Sequence, residues 1–278
     1  MGELTAQEHF RAGRLDEAVI SAMAAVKAAP GYGVARMTLA QLLCFQGEFE
    51  RADTHLDLAA SKDPKLSMMA TLCRQLMRAE QARRELFTAG RPPEFLAPPG
   101  KTVELMLRAT IETRQKNASG ALALLEEAEI ARPRVPGTSG CVAFDDFFDL
   151  DDQFSGVLEA LTSTGKYYWI PTDTISCVSF EKPMTRFHFL WLPTKVKVRG
   201  GSDGVVYVPA IYPLEAEGEQ KTAARLGRIT EWFGGDNSPV RGVGQRLFQI
   251  GGAQKTMLEI GSIEFSGQAT TAGEPAHA

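Results

Sequence analysis

Several features that mark common functional classes are scarce in this sequence of 278 residues. No run of about 18 apolar residues occurs, so no segment is predicted to span a membrane as a helix. Lysine and arginine number 30 against 34 aspartates and glutamates, and the net charge of −4 argues against a nucleic-acid-binding protein, which would carry a basic surface. The cysteines are scattered without a C-x-x-C pair, which argues against a zinc site and predicts reduced, mostly buried thiols: Cys44, Cys73, Cys141 and Cys177.

The beginning of the sequence, MGELTAQEHF, lacks the basic and then apolar pattern of a secretory signal, so we expect a cytoplasmic protein. Hydrophobic residues make up 44% and charged residues 23% of the chain, which is typical of soluble globular proteins. The length is sufficient for two domains.

One motif occurs twice near the N-terminus, as GRLDEAVISAMAAVKAAP over residues 13–30 and as GEFERADTHLDLAASKDP over residues 47–64. Six pairs of positions share an offset of 34 residues: Gly13 and Gly47, Leu15 and Phe49, Ala18 and Ala52, Ala22 and Leu56, Ala25 and Ala59, and Pro30 and Pro64. This period, with small alanine positions and a closing proline, is typical of the tetratricopeptide repeat. Ala18 and Ala25 are two helical turns apart, so we expect both to allow close approach of a neighbouring helix. The alternative is two unrelated amphipathic helices.

Apolar residues at helical spacing predict further helices over residues 34–46, 49–61, 65–87 and 102–115, and a third, degenerate repeat helix over 121–133. Residues 89–100 contain four prolines, which exclude a helix there. This segment is predicted to be a linker or a loop strapped across the helices.

After residues 134–140 the sequence changes to short aromatic and β-branched runs. Strands are predicted over 167–170, 174–180 and 187–192, with hairpins joining 195–199 to 205–209 and 245–250 to 255–265. Residues 151–161 are predicted to form a helix, capped by Asp149 or Asp151. The expected fold class is α+β: a tetratricopeptide-like helical domain over 1–133, a mostly antiparallel β domain with few helices over 140–265, and a disordered tail over 266–278.

Candidate catalytic and ligand-binding motifs are weak. The acidic cluster Asp145, Asp146, Asp149, Asp151 and Asp152 could hold a divalent cation, but it lacks the calcium-loop pattern, and helix capping explains it more simply. Gly242 and Gly244 form half of a dinucleotide fingerprint, without the helix that a phosphate site needs. His188, placed on a predicted strand, has no nucleophile or carboxylate partner in view. We therefore expect a protein that is not an enzyme, with no catalytic residue, metal or cofactor.

A partner-binding groove is the remaining candidate. Helical spacing in the second repeat places four residues on the concave surface: Val34, Met37, Gln41 and Cys44. Such an apolar surface suits an amphipathic partner helix. The alternative, held equally, is that these residues pack on the helix over 65–87 or on the strand domain and leave no open groove.

The order of motifs across nearly the whole chain, residues 6–265, resembles the ImpE/SciE/TagJ family of bacterial type VI secretion. The most specific segments are RAEQARRELF with RPPEFL, then WIP at 169–171, FLWLP at 189–193, and TEWFGGD with PVRGVGQR. This resemblance implies a non-enzymatic accessory protein that binds a helix of the small contractile-sheath subunit and so acts with the sheath-recycling AAA+ unfoldase. Two other functions stay open: an enzyme or small-ligand-binding protein with its site in the C-terminal domain, and a scaffold or chaperone of another complex.

Overall fold

A computed structural model describes residues 4–201, 203–215 and 217–266 of the chain. The predicted disordered tail therefore lies outside the described residues, except for Ser266. Helices occupy the N-terminal part in this order: α1 (Ala6–Arg11), α2 (Leu15–Ala28), α3 (Gly33–Gln46), α4 (Phe49–Lys62), α5 (Ser67–Thr88), α6 (Lys101–Arg114) and α7 (Ala118–Ala131). In the described residues, no helix is both long and apolar enough to cross a membrane.

The repeat turns have the geometry that their glycines predict. Gly13 and Gly47 separate the helices of the first two pairs in the left-handed conformation, with φ of +80° and +78°, which glycine adopts without steric cost. Lys116 occupies the same position before α7, with φ of +60°. Ala18 and Ala52 are completely buried, as expected for close helix contacts. Ala25 is exposed, so the prediction that it packs against a neighbouring helix is wrong.

The described residues of the C-terminal part include two short α-helices, α8 (Lys221–Arg225) and α9 (Met257–Ile260), among many strands. The strands are β1 (Gly137–Ser139), β2 (Val142–Phe144), β3 (Phe147–Asp149), β4 (Val157–Leu161), β5 (Tyr167–Pro171), β6 (Ile175–Phe180), β7 (Trp191–Val198), β8 (Asp203–Pro209), β9 (Thr230–Gly235), β10 (Ser238–Gly244), β11 (Phe248–Ile250), β12 (Ala253–Lys255) and β13 (Ser262–Phe265). The main sheet has the order β2-β1-β13-β6-β7-β8-β4-β5, and two smaller sheets contain β9 with β10 and β3 with β11 and β12. Pairing between these strands is antiparallel throughout.

The main sheet is covered on both faces. In β4, Val157 and Leu161 belong to the core shared with the helices, whereas Leu158 and Ala160 belong to the core formed with β3, β11 and α9. This alternation follows from the two-residue period of a strand. The helical part and the sheet therefore share one apolar core.

The proline-rich loop between α5 and α6 connects to the sheet. Glu94 accepts a backbone hydrogen bond of 3.2 Å from Trp169 and donates one of 2.8 Å to the carbonyl of Tyr167. The loop thereby forms a parallel bridge to the edge strand β5.

Three secondary-structure predictions need correction. Residues 151–161 form a short 3-10 helix (Asp152–Phe154) and then β4, because burial on both faces removes the polar alternation that identifies a strand. Of residues 187–192, the first three belong to a 3-10 helix (Arg186–Phe189) and the last two begin β7. The last predicted strand is divided into β12, α9 and β13, and β13 pairs with β1 and β6 rather than with β11.

Candidate functional site

A buried network of charged side chains lies where α5 meets the main sheet. The Arg83 guanidinium donates hydrogen bonds of 2.9 Å to both carboxylate oxygens of Glu159 and one of 3.2 Å to Glu80. Glu80 also accepts a bond of 3.1 Å from the indole nitrogen of Trp191. Arg83 is 2% exposed and Glu159 is completely buried, so the pair is shielded from water.

Arg246 extends this network toward β3. Its guanidinium donates a hydrogen bond of 2.8 Å to Asp149 and a second bond to Glu159. Asp149 also accepts a bond of 2.7 Å from the Tyr212 hydroxyl. Arg83, Glu159 and Arg246 lie on three segments that are distant in sequence. The Glu159 carboxylate, which accepts hydrogen bonds from both arginines, joins these segments.

The two central carboxylates have opposite pKa shifts. Burial disfavours the ionised form of Glu159, but the charges of Arg83 and Arg246 outweigh it and lower the pKa to about 2. Burial raises the pKa of Asp149 to about 7, although Arg246 opposes the shift. Such perturbed groups are also found in active sites, so the space around them decides what they can do.

The open space next to the network is a cavity of about 70 Å³, whose lining includes Glu80, Arg83 and Tyr212 but neither Glu159 nor Asp149. Pockets for drug-sized ligands span about 300–1,000 Å³, whereas a water needs about 10–15 Å³. The cavity can accommodate a few waters but no organic substrate. The network is therefore best explained as a connection between the helices and the sheet.

The acidic cluster takes part in capping and ion pairs. Asp146 accepts hydrogen bonds from Arg132 and from the backbone of Val135 and Phe147. Asp151 accepts bonds from Arg241 and the Gly242 amide, and Asp152 accepts one from the Val240 amide. In the described part of the chain, no group of three or more His, Cys, Asp or Glu could hold a metal ion.

The other weak motifs also have structural roles. Gly242 lies in β10 where a Cβ atom would be 2.3 Å from the Tyr212 ring, so the residue permits close packing. His188 lies in the 3-10 helix, not on a strand, and its Nδ1 accepts a bond of 3.0 Å from the Met184 amide.

The four predicted groove residues are mostly covered. Met37, Gln41 and Cys44 are 6%, 7% and 3% exposed, and Val34 is 42% exposed. The Cys44 thiol is 3.5 Å from the Met77 sulfur in α5, and the Gln41 amide accepts a bond of 3.1 Å from Arg186 of the β part. The structure thus has the alternative arrangement, in which this face packs against α5 and the β part. Val34 alone of the four is accessible to a partner.

Larger surfaces also stay open among the described residues, and two of them adjoin the N-terminal helices. One is a hollow of about 780 Å³ over α4 and α5, where charges already pair within the chain, as Arg74 does with Asp53 at 2.6 Å. The other is a cleft of about 730 Å³ between α1 and the β part, which we call the N-terminal cleft. It is lined by residues of α1, the segment 183–189, the turn 226–228 and α9. Local sequence patterns do not reveal this cleft, because its walls come from segments more than 170 residues apart.

These observations define a class of protein: tetratricopeptide-like helix pairs joined to an antiparallel β domain, with open surfaces suited to protein contacts. Residues 9–76 match the tetratricopeptide repeat family, and residues 142–264 match the ImpE protein family. The type VI secretion system accessory component TagJ of Pseudomonas aeruginosa is 31% identical over 262 residues, which cover 94% of this chain and 91% of the relative. The chain therefore belongs to the ImpE/TagJ family, as its sequence motifs indicated.

A solved structure shares the fold. A crystal structure of a protein from Vibrio parahaemolyticus superposes with a TM-score of 0.87 and 21% identity, over 95% of this chain and 98% of that one. At this identity the likeness concerns the fold alone.

Proposed function

We propose that this chain is a non-enzymatic, cytoplasmic accessory protein of type VI secretion that binds a helix of the small contractile-sheath subunit. The observation that carries the proposal is the similarity over 94% of the chain to an accessory component of that system. The stacked helix pairs support it, because helical repeats present extended surfaces for binding other proteins.

The buried network supports a role without turnover. Its ionisable groups hydrogen-bond to one another, and the cavity beside Glu80 and Arg83 is too small for an organic substrate. Charges engaged in this way hold the fold together and have no space in which to reach a reacting group.

The experiment is a fluorescence titration of the protein with a labelled peptide from the N-terminal helix of the small sheath subunit, alongside a peptide of scrambled sequence. We expect saturable binding of the native peptide alone. Val34→Asp, at the accessible member of the predicted groove, tests whether that face contributes. If neither the peptide nor the intact sheath subunit binds the folded protein, the adaptor function is wrong. Addition of the AAA+ unfoldase tests the expected coupling to sheath recycling.

A further inference from the structure

Among the described residues, one cation of the N-terminal cleft, Arg186, has no carboxylate partner. The Arg186 guanidinium contacts the neutral amide oxygens of Gln7 and Gln41, at 3.1 Å for the latter. Its Nε atom is buried and has no hydrogen-bond partner among the described residues. Burial, and then the positive charge of Arg11, lower the pKa of Arg186, as expected for a half-buried cation beside another cation.

The most deeply buried arginines of the molecule are different. Arg83, Arg132, Arg241 and Arg246 each have a carboxylate oxygen within 3 Å. For these four arginines, which only stabilise the fold, the protein itself supplies the counter-ion. Arg186 is half-buried at an open cleft, where a bound molecule could supply that charge.

The rest of the cleft is also cationic. Arg11 and Arg228 line it beside Arg186, and no aspartate or glutamate is among its described lining residues. Arg228 donates hydrogen bonds of 2.8 Å to the carbonyls of Phe10 and Arg11, which fixes its position at the end of α1. The chain as a whole has a net charge of −4, so this positive cleft is a local reversal of sign. Clefts lined by one sign of charge attract ligands of the opposite sign.

Apolar side chains border the arginines. Met184 is 83% exposed, Phe189 43% and Leu258 46%, and all three line the cleft. Arginine, methionine and aromatic residues are enriched in protein interfaces. A small anion would leave the apolar side chains uncovered, whereas a peptide with acidic and apolar residues on one face would satisfy both features.

We propose that the N-terminal cleft is a docking site for an acidic, amphipathic segment of a partner protein, with a carboxylate paired to Arg186 and apolar residues covering Met184 and Phe189. The inference deepens the proposed function by naming a binding site, and it rests on that function only for the identity of the partner. Charge complementarity favours this occupant, since the described lining of the cleft offers cations and apolar area but no acidic group.

The experiment uses the full chain and a labelled helical peptide of about 18 residues, or roughly five turns, with leucines on one face and glutamates beside them. A matched peptide has glutamine at every glutamate. Arg11→Glu and Met184→Glu change exposed side chains of the cleft and leave the Arg186 contacts to Gln7 and Gln41 intact. The controls are Arg108→Glu and Met68→Glu, at exposed sites outside the cleft; Met68 is 85% exposed.

We expect the acidic peptide to bind the wild type, and each cleft variant to weaken it by about tenfold, or ~1.4 kcal/mol, while the controls bind like the wild type. The glutamine peptide should bind more weakly than the acidic one. Equal binding of the two peptides, or equal affinities for cleft variants and controls, would overturn the docking site.

The same variants separate this inference from the proposed function. If a sheath peptide binds the wild type and Met184→Glu equally, the proposed function is retained, but the cleft is not the site where that peptide binds. If the sheath peptide does not bind but the acidic peptide binds with the expected variant effects, the cleft is supported and its partner is a different protein.

Discussion

Arg83 in α5 donates two hydrogen bonds of 2.9 Å to the two carboxylate oxygens of Glu159 in β4, which lies 76 residues further along the chain. Two parallel bonds from one planar guanidinium define both distance and angle between the partners. Because Arg83 is 2% exposed and Glu159 is fully buried, water cannot replace either partner. The pair therefore fixes how the helices sit on the sheet.

Replacement of one member of this pair should be costly. We expect Arg83→Met to lower the free energy of unfolding by about 3–5 kcal/mol, because Glu80 and Glu159 would be buried with less positive charge near them. Arg74→Met is the control, since Arg74 and Asp53 form an exposed pair that should contribute about 1 kcal/mol or less. Urea denaturation of both variants at neutral pH measures the difference. Equal losses would show that burial of the network has no special effect.

The low pKa of Glu159 predicts acid sensitivity. Its folded-state pKa of about 2 is below the ordinary value of 4.5, so the folded state binds this proton less readily than the unfolded state. The stabilisation is therefore fully present above pH ~4.5 and is lost as the pH falls toward 2. We expect Glu159→Gln to be less stable near neutral pH but to have a flatter stability profile over this acidic range. Urea denaturation at a series of acidic pH values measures this dependence. If the free energy of unfolding changes with pH equally in the wild type and in Glu159→Gln, the pKa shift of Glu159 is contradicted.

The repeat alanines differ in burial, and this difference can be tested. Ala52→Leu should destabilise the fold by about 1–3 kcal/mol, since the completely buried position has no space for three more carbons. Ala25→Leu introduces the same side chain on an exposed helix surface and should leave the thermal midpoint nearly unchanged. The expected result is a lower midpoint for Ala52→Leu alone, in calorimetry of both variants.

The third repeat turn contains a removable strain. Lys116 has φ of +60° where Gly13 and Gly47 occupy the equivalent turns, and a left-handed conformation costs a non-glycine residue about 1–2 kcal/mol. Lys116→Gly should therefore raise the free energy of unfolding by about 1 kcal/mol, less the higher chain entropy of glycine. Gly47→Ala is the converse variant and should destabilise, because its φ is +78°. A stability loss in Lys116→Gly would show that the turn is not strained.

The local sequence pattern was sufficient to predict the helices and the turns between them. The offset of 34 residues located α2 and α4, and apolar spacing located α5 within two residues of its observed bounds. The α+β class followed from the same patterns, whereas the family followed from the resemblance of specific motifs. These features depend on neighbours within a few residues, which periodicity records. The division into domains over 1–133 and 140–265 stays a prediction that limited proteolysis near Arg134 can test.

Structural features that depend on contacts between distant parts of the chain were not predicted from the sequence. Val157, Leu158, Ala160 and Leu161 form a run that favours a helix locally, but strands on both sides and two packed faces impose β4. One signal of the network was present: Arg83 lies seven residues after Leu76 and three before Leu86, on the apolar face of α5. A charge at such a position indicates a buried partner, although its identity required the tertiary structure.

The interlocked core has a consequence for synthesis. Glu80 and Arg83 leave the ribosome with α5, but Glu159 and Trp191, which bind them, are translated only later. At about 5–20 residues per second, the interval from the end of α5 to Trp191 is roughly 5–20 s. During that interval the nascent helices expose apolar and charged surface that the finished protein buries. The rate of translation thus determines how long the nascent chain can aggregate or bind other proteins non-specifically. A chaperone that covers α5 would act in this period.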